Sequence, residues 1–277
     1  EISLGLVGSE MCIRDSYCAD EEARRKYRLL GLRKVLSGHL YEDRLAYVVQ
    51  KVFGASLGWR SPSVLVLCRA PDAKAARRMA GLFAAQTYQN CRMLLICDEP
   101  LQLDDARISV VSQAAAQEMR LAGEAAGGFV AVFSPEDYYG TQYLTDLMLT
   151  LRCGDWQGVG KAAYYQDAGA GPACHAREKA YLPAEKLSAA RAVLRAELFG
   201  EVSVLDAARG GEYEAERFFA ADEFHYCKGS QDAAGACAAV EDLFVPDQGI
   251  ALSKIEAAAE KITAAEEESG ALVLDAA

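Results

Sequence analysis

The stretch FVAVFSPEDYYGTQYLTDLMLTLR (residues 129–152) decides the fold class. Its first five residues form an unbroken apolar run, as in a strand covered on both faces, where alternation with polar residues is lost. A short turn follows and carries two acids, Glu136 and Asp137. Beyond it, Tyr143, Leu144, Leu147, Met148 and Leu151 recur at helical spacing and predict an amphipathic helix. Buried strand, acidic turn and amphipathic helix together form the repeating unit of an α/β protein.

The same unit appears upstream. SVLVLC (63–68) reads as a buried strand, followed by a helix with Ala75, Ala76, Met79, Ala80, Leu82 and Phe83 on one face. CRMLLICDE (91–99) is a second buried strand ending in acids, and ARISVVS (106–112) a shorter third. Residues 114–126 are helical by composition, and Gly127-Gly128 ends that helix. The alternation predicts a Rossmann-like α/β fold: a mostly parallel central sheet with helices on both faces, preceded by helices. Downstream, strands are expected near 158–165, 190–195 and 218–227, with a variable loop through 166–180. Open parallel sheets bind ligands beyond the carboxyl ends of their strands. This singles out residues 68–72, Asp98-Glu99 and residues 134–137.

Composition narrows the function. In 277 residues, 29 Lys and Arg face 40 Asp and Glu, a net charge of −11, which argues against a nucleic-acid binder tracking phosphates on a basic stripe. No apolar run reaches membrane-spanning length, and the expected location is cytoplasmic. Nine cysteines (12, 18, 68, 91, 97, 153, 174, 227 and 237) form no C-x-x-C pair and read as reduced thiols. His39, His175 and His225 lack metal-ligand spacing. Neither G-x-G-x-x-G nor G-x-S-x-G occurs.

The domain boundaries follow from shifts in pattern. Residues 1–16 lack an initiator Met and a basic n-region and read as a non-native leader, resembling translated adapter sequence. Residues 17–53 are helical and carry eight Lys and Arg against five Asp and Glu, with possible breaks at Gly31, Ser37 and Gly38; residues 54–62 form a linker. The expected main domain is 61–230, followed by a helical extension over 231–277 whose 250–268 portion is rich in Ala and Glu.

AAQTYQNCRMLLICDEP (84–100), the 129–152 stretch, GVGKAAYY (158–165) and LSAARAVLRAELF (187–199) together resemble GT-A glycosyltransferases of family 2, in a bacterial branch associated with cell-wall or polysaccharide synthesis. LRKVLSGHLYEDRL (32–45) resembles the tail of the glycosyltransferase-like module that precedes the GT-A domain in that branch. The resemblance implies transfer of a sugar from a nucleotide-diphosphate donor to a glycan or polymer acceptor with inversion, assisted by Mg²⁺ or Mn²⁺ and accompanied by an upstream domain.

The resemblance also implies roles for individual residues. Ser134-Pro135-Glu136 stands where the family has D-x-D, so the metal would fall to Glu136 and Asp137. The alternative is that these acids only favour the start of the following helix. Asp98 and Glu99 would take the nucleoside, and Arg69 a phosphate or base. The inverting base would come from GGEYEAE (210–216), with Glu212 the best match and Asp206 the runner-up; Asp222 is a further candidate. Because Ser134 is a poor ligand and the base motif is eroded, a second function is also expected: a catalytically degenerate module that binds glycan or scaffolds a neighbour.

Overall fold

The computed structural model describes residues 20–125, 127–169, 171–230 and 240–241. The leader expected at 1–16 and nearly all of the extension expected at 231–277 lie outside these residues.

The central sheet has eight strands, and the four that form one side of it are the runs predicted above: β1 (Val64–Arg69), β2 (Cys91–Ile96), β3 (Ile108–Val111) and β4 (Phe129–Phe133). They pair in parallel in the order β3-β2-β1-β4. Further out come β10 (Ala192–Arg195), β6 (Gly158–Gly160), β11 (Glu212–Ala220) and β9 (Pro183–Ser188). β10 is antiparallel to both β4 and β6, and β11 is parallel to β6. The strands β1, β2, β3, β4, β6 and β11 therefore all end at one edge. This agrees with the expected α/β class and its mostly parallel sheet.

Both faces of β1, β2 and β4 are covered, which explains their apolar runs. Val64, Val66 and Cys68 pack on one face against α3 (Ala73–Ala84) and α6 (Tyr143–Thr150). Leu65 and Leu67 pack on the other against the short helices α4 (Gln113–Glu118), α5 (Leu121–Glu124) and α7 (Val204–Ala208). The α3 helix starts where Asp72 accepts from the Ala75 N–H at 2.7 Å.

Local details depart from the sequence reading. The helix expected over 114–126 is divided into α4 and α5, because Arg120 between them adopts extended backbone and bridges to Ser203. The strand expected over 158–165 is also divided: β6 stays in the central sheet, while β7 (Tyr164–Asp167) joins a four-stranded sheet, β5-β12-β7-β8. There it pairs with β8 (Pro172–His175) and β12 (Tyr226–Lys228), and β5 (Tyr138–Tyr139) pairs with β12. The loop expected through 166–180 thus holds the end of β7 and all of β8. The six described cysteines are free thiols, and burial pushes that of Cys68 up to about 12.

The N-terminal helical region forms α1 (Glu21–Gly38) and α2 (Tyr41–Phe53), so the break falls at Gly38 and not at Gly31. α1 is fixed by buried ion pairs. Arg25 Nε meets Glu223 at 2.5 Å, and Arg33 forks onto Asp146 at 2.8 and 2.9 Å. Leu29 is buried with Tyr165 and Phe224. Residues 54–63 form neither helix nor strand. No described helix is long and apolar enough to cross a membrane.

Candidate functional site

The chain runs β1, β2, β3 outward on one side of β1, then crosses to place β4 on the other side. β1 and β4 therefore flank the topological switch point, where a crevice opens because the connections leave in opposite directions. A hollow of about 410 Å³ lies there. Arg69 and Pro71 line it from the end of β1, residues 132–136 from the end of β4, and Ala190, Arg209, Gly210 and Gly211 from the far wall. Gly210 and Gly211 have φ of 69° and 143°, left-handed values that favour glycine, so this part of the wall is bare backbone beside Arg209.

The sequence-predicted residues distribute unevenly around this hollow. Arg69 and Glu136 both line it, and Glu136 is exposed. Asp137 turns inward: its Oδ2 accepts from the Tyr226 hydroxyl at 2.8 Å and its Oδ1 from the Gly229 N–H at 2.9 Å. It is 5% exposed, and burial pushes its carboxyl above the usual carboxylate range against both hydrogen bonds. Arg78 locks the same turn by donating to the carbonyls of Pro135, Asp137 and Ser230. Asp137 thus ties the acidic turn to the end of β12. Both of its oxygens already accept from protein donors, whereas the sequence reading assigns it, with Glu136, to a metal.

Asp98 and Glu99 leave β2 at the same sheet edge but do not line the hollow. Asp98 accepts from the Gln113 backbone N–H at 2.8 Å and from its side-chain amide at 2.6 Å, at the start of α4. Glu99 accepts from the Ala73 N–H at 2.9 Å, at the start of α3. Both are exposed, and both serve helix N-termini whose N–H groups lack partners within the helix.

The three acids weighed as the base also separate. Asp206, on α7, accepts from the Ser203 hydroxyl at 2.7 Å and pairs with Arg209 at 2.9 Å. Hydrogen bonds from Ser203 and then Gln117 hold its carboxyl below the usual range, which makes it a weaker base. Asp222 is 1% exposed and joins Lys161 Nζ at 2.8 Å in a pair closed to solvent. Glu212 is half-exposed, 3.7 Å from Lys186 and 4.0 Å from Arg191. It lines a second hollow of about 510 Å³ together with Lys179, Lys186 and Arg191. The two hollows are adjacent, since Ala190 and Gly211 line the first while Arg191 and Glu212 line the second.

Sequence reasoning missed Arg209. Its only signal was the adjacent Gly210-Gly211 pair, which marks a turn where a ligand can approach backbone. A larger hollow, about 810 Å³ and lined by Trp59, Tyr88 and Arg152, opens beside the starts of β1 and β2, at the opposite edge from these groups.

A divalent cation needs several hard oxygen ligands converging on one point. Here Ser134 replaces one acid, Asp137 faces the core and Glu136 remains. Among the described residues no group of three or more His, Cys, Asp or Glu is arranged to hold a metal ion. The residues present do not fit the Mg²⁺ or Mn²⁺ expected from sequence.

No protein-family model matches the sequence, and no curated protein matches it. Solved structures similar in fold include the following two. One is TarS residues 1–349 of S. aureus in complex with UDP-GlcNAc, at 12% identity and a TM-score of 0.44, covering 64% of this chain and 61% of that one. This chain thus spans less than two thirds of that TarS chain. The other is the mannosyltransferase PcManGT of Pyrobaculum calidifontis in complex with GDP-Man and Mn²⁺, at 9% identity and a TM-score of 0.40, covering 77% and 70%.

Proposed function

We propose that residues 61–230 form a GT-A, family-2-like glycosyltransferase domain of bacterial type. It transfers a sugar from a nucleotide-diphosphate donor to a glycan or cell-surface polymer, with inversion. One observation carries the reading: the 410 Å³ hollow sits at the switch point of a parallel sheet and combines a guanidinium, a carboxylate and a glycine backbone wall. Arg69 contacts the diphosphate and Glu136 accepts from sugar hydroxyls. Asp98 and Glu99, at the neighbouring strand end, face the nucleoside after giving up their helix contacts. The acceptor lies in the second hollow, where Glu212 takes the proton from its hydroxyl. Residues 17–60 are the end of a preceding glycosyltransferase-like module.

The test incubates the protein with UDP- and GDP-sugars and a panel of bacterial polysaccharides, and follows release of nucleoside diphosphate. Acceptor-dependent release that Glu212→Gln lowers supports the reading. Absence of binding by any donor refutes it.

A second reading is favoured by the inward-facing Asp137 and the weakened Asp206: a non-catalytic module that binds glycan or scaffolds a neighbour. It predicts polysaccharide binding with no release of nucleoside diphosphate.

A further inference from the structure

The misfit between the acidic turn and a divalent cation points to a different source of positive charge. In the parallel register of β1 and β4, Cys68 is level with Phe133. One step further along, Arg69 comes level with Ser134. Adjacent strands lie about 4.8 Å apart, and both residues line the hollow at the mouth of the crevice. Ser134 occupies the position where the resemblance places the first metal-binding acid. An aspartate there would pair with Arg69 and neutralise it. With serine there, Arg69 forms no ion pair among the described residues, and its exposed guanidinium lines the hollow. Arg209 lines the far wall of the same hollow, with one nitrogen held by Asp206 at 2.9 Å and the rest of the fork available.

We infer that the hollow binds the diphosphate of a nucleotide without a metal ion, between the guanidinium groups of Arg69 and Arg209. This rests on the glycosyltransferase reading and deepens it. Arg69 brings a positive charge without a carboxylate partner among the described residues and Arg209 a guanidinium shared with Asp206, and each presents a planar fork that matches phosphate oxygens. The glycine wall lets the phosphates approach backbone closely. Glu136 is left for the sugar, since a carboxylate beside phosphates repels them unless a metal lies between. The serine at 134 and the inward-facing acid at 137 then fit one chemistry, guanidinium in place of metal.

The test is calorimetric titration of the full chain with UDP and with GDP, in excess Mn²⁺ and in excess EDTA. The parent, Arg69→Gln and Ser134→Asp are compared, with circular dichroism to confirm folding. The expected result is binding of at least one nucleotide whose affinity changes less than about threefold between Mn²⁺ and EDTA. Arg69→Gln weakens it at least about tenfold, the loss expected for one charge-assisted fork. Ser134→Asp, which supplies Arg69 with a carboxylate partner, weakens metal-free binding in the same direction. Binding seen only with Mn²⁺ and indifferent to Arg69→Gln overturns the inference and leaves the glycosyltransferase reading standing. No binding of either nucleotide under either condition overturns both.

Discussion

Replacing Asp137 by alanine separates the two roles this residue was weighed for. The carboxylate accepts from the Tyr226 hydroxyl at 2.8 Å and from the Gly229 N–H at 2.9 Å, and it is nearly closed to solvent. A hydrogen bond to a charged acceptor contributes about 1.5–3 kcal/mol, and removing the acceptor leaves both buried donors unsatisfied. Burial of the carboxylate itself offsets part of this, as the raised pKa records. The expected net loss is about 3 kcal/mol, out of a total stability of about 5–15 kcal/mol for a domain. In a domain of this size that lowers Tm by about 6–12 °C. The assay is urea unfolding followed by tryptophan fluorescence, with Glu136→Ala as the control. Glu136 is exposed, and its removal is expected to change stability by no more than about 0.5 kcal/mol. The reasoning is refuted if Asp137→Ala unfolds within about 0.5 kcal/mol of the parent yet abolishes a Mn²⁺-dependent binding of nucleoside diphosphate. That pattern would belong to a metal ligand.

Three further outcomes are expected. Lys161→Met leaves Asp222 as an unpaired buried charge and costs about 3–5 kcal/mol by urea unfolding, whereas an exposed pair would cost under about 1 kcal/mol. Arg33→Met does the same to Asp146 and frees α1, so hydrogen exchange should show the amides of residues 21–38 losing protection ahead of those of β1 and β4. The folded state holds the Asp137 proton more tightly than the unfolded chain, whose value is near 3.8. Its contribution to stability is therefore greatest below that pH and declines as pH rises through the folded pKa. Asp137→Asn removes this decline, and unfolding curves compared from about pH 4 to about pH 7 check it.

The buried strands were legible in the sequence because a strand covered on both faces must be apolar at every position. β4 follows that rule throughout, β1 up to Arg69 and β2 beyond the exposed Arg92. The ends of those strands were legible for the same reason, and Arg69 and residues 134–136 line the hollow found there. Other features were hidden from local pattern. The split of 158–165 between two sheets falls at Lys161, a charged residue that is buried. It is buried because Asp222, 61 positions away, neutralises it. The turn carrying His225 has φ of 60°, and nothing in EFHYC signals a left-handed residue.

The sequence alone therefore determined the layers of this protein and the edge of the sheet at which ligands should be sought, since periodicity and burial are properties of a segment and its solvent. Only the tertiary structure decided which acids face that edge. A carboxylate's direction depends on the donors that reach it. For Asp137 these come from Tyr226 and Gly229, about ninety residues downstream, while for Asp98 they come from Gln113. Arg69 and Arg209 lie 140 positions apart in the chain and line one hollow because α7, which ends beside Arg209, packs against β1 and β4.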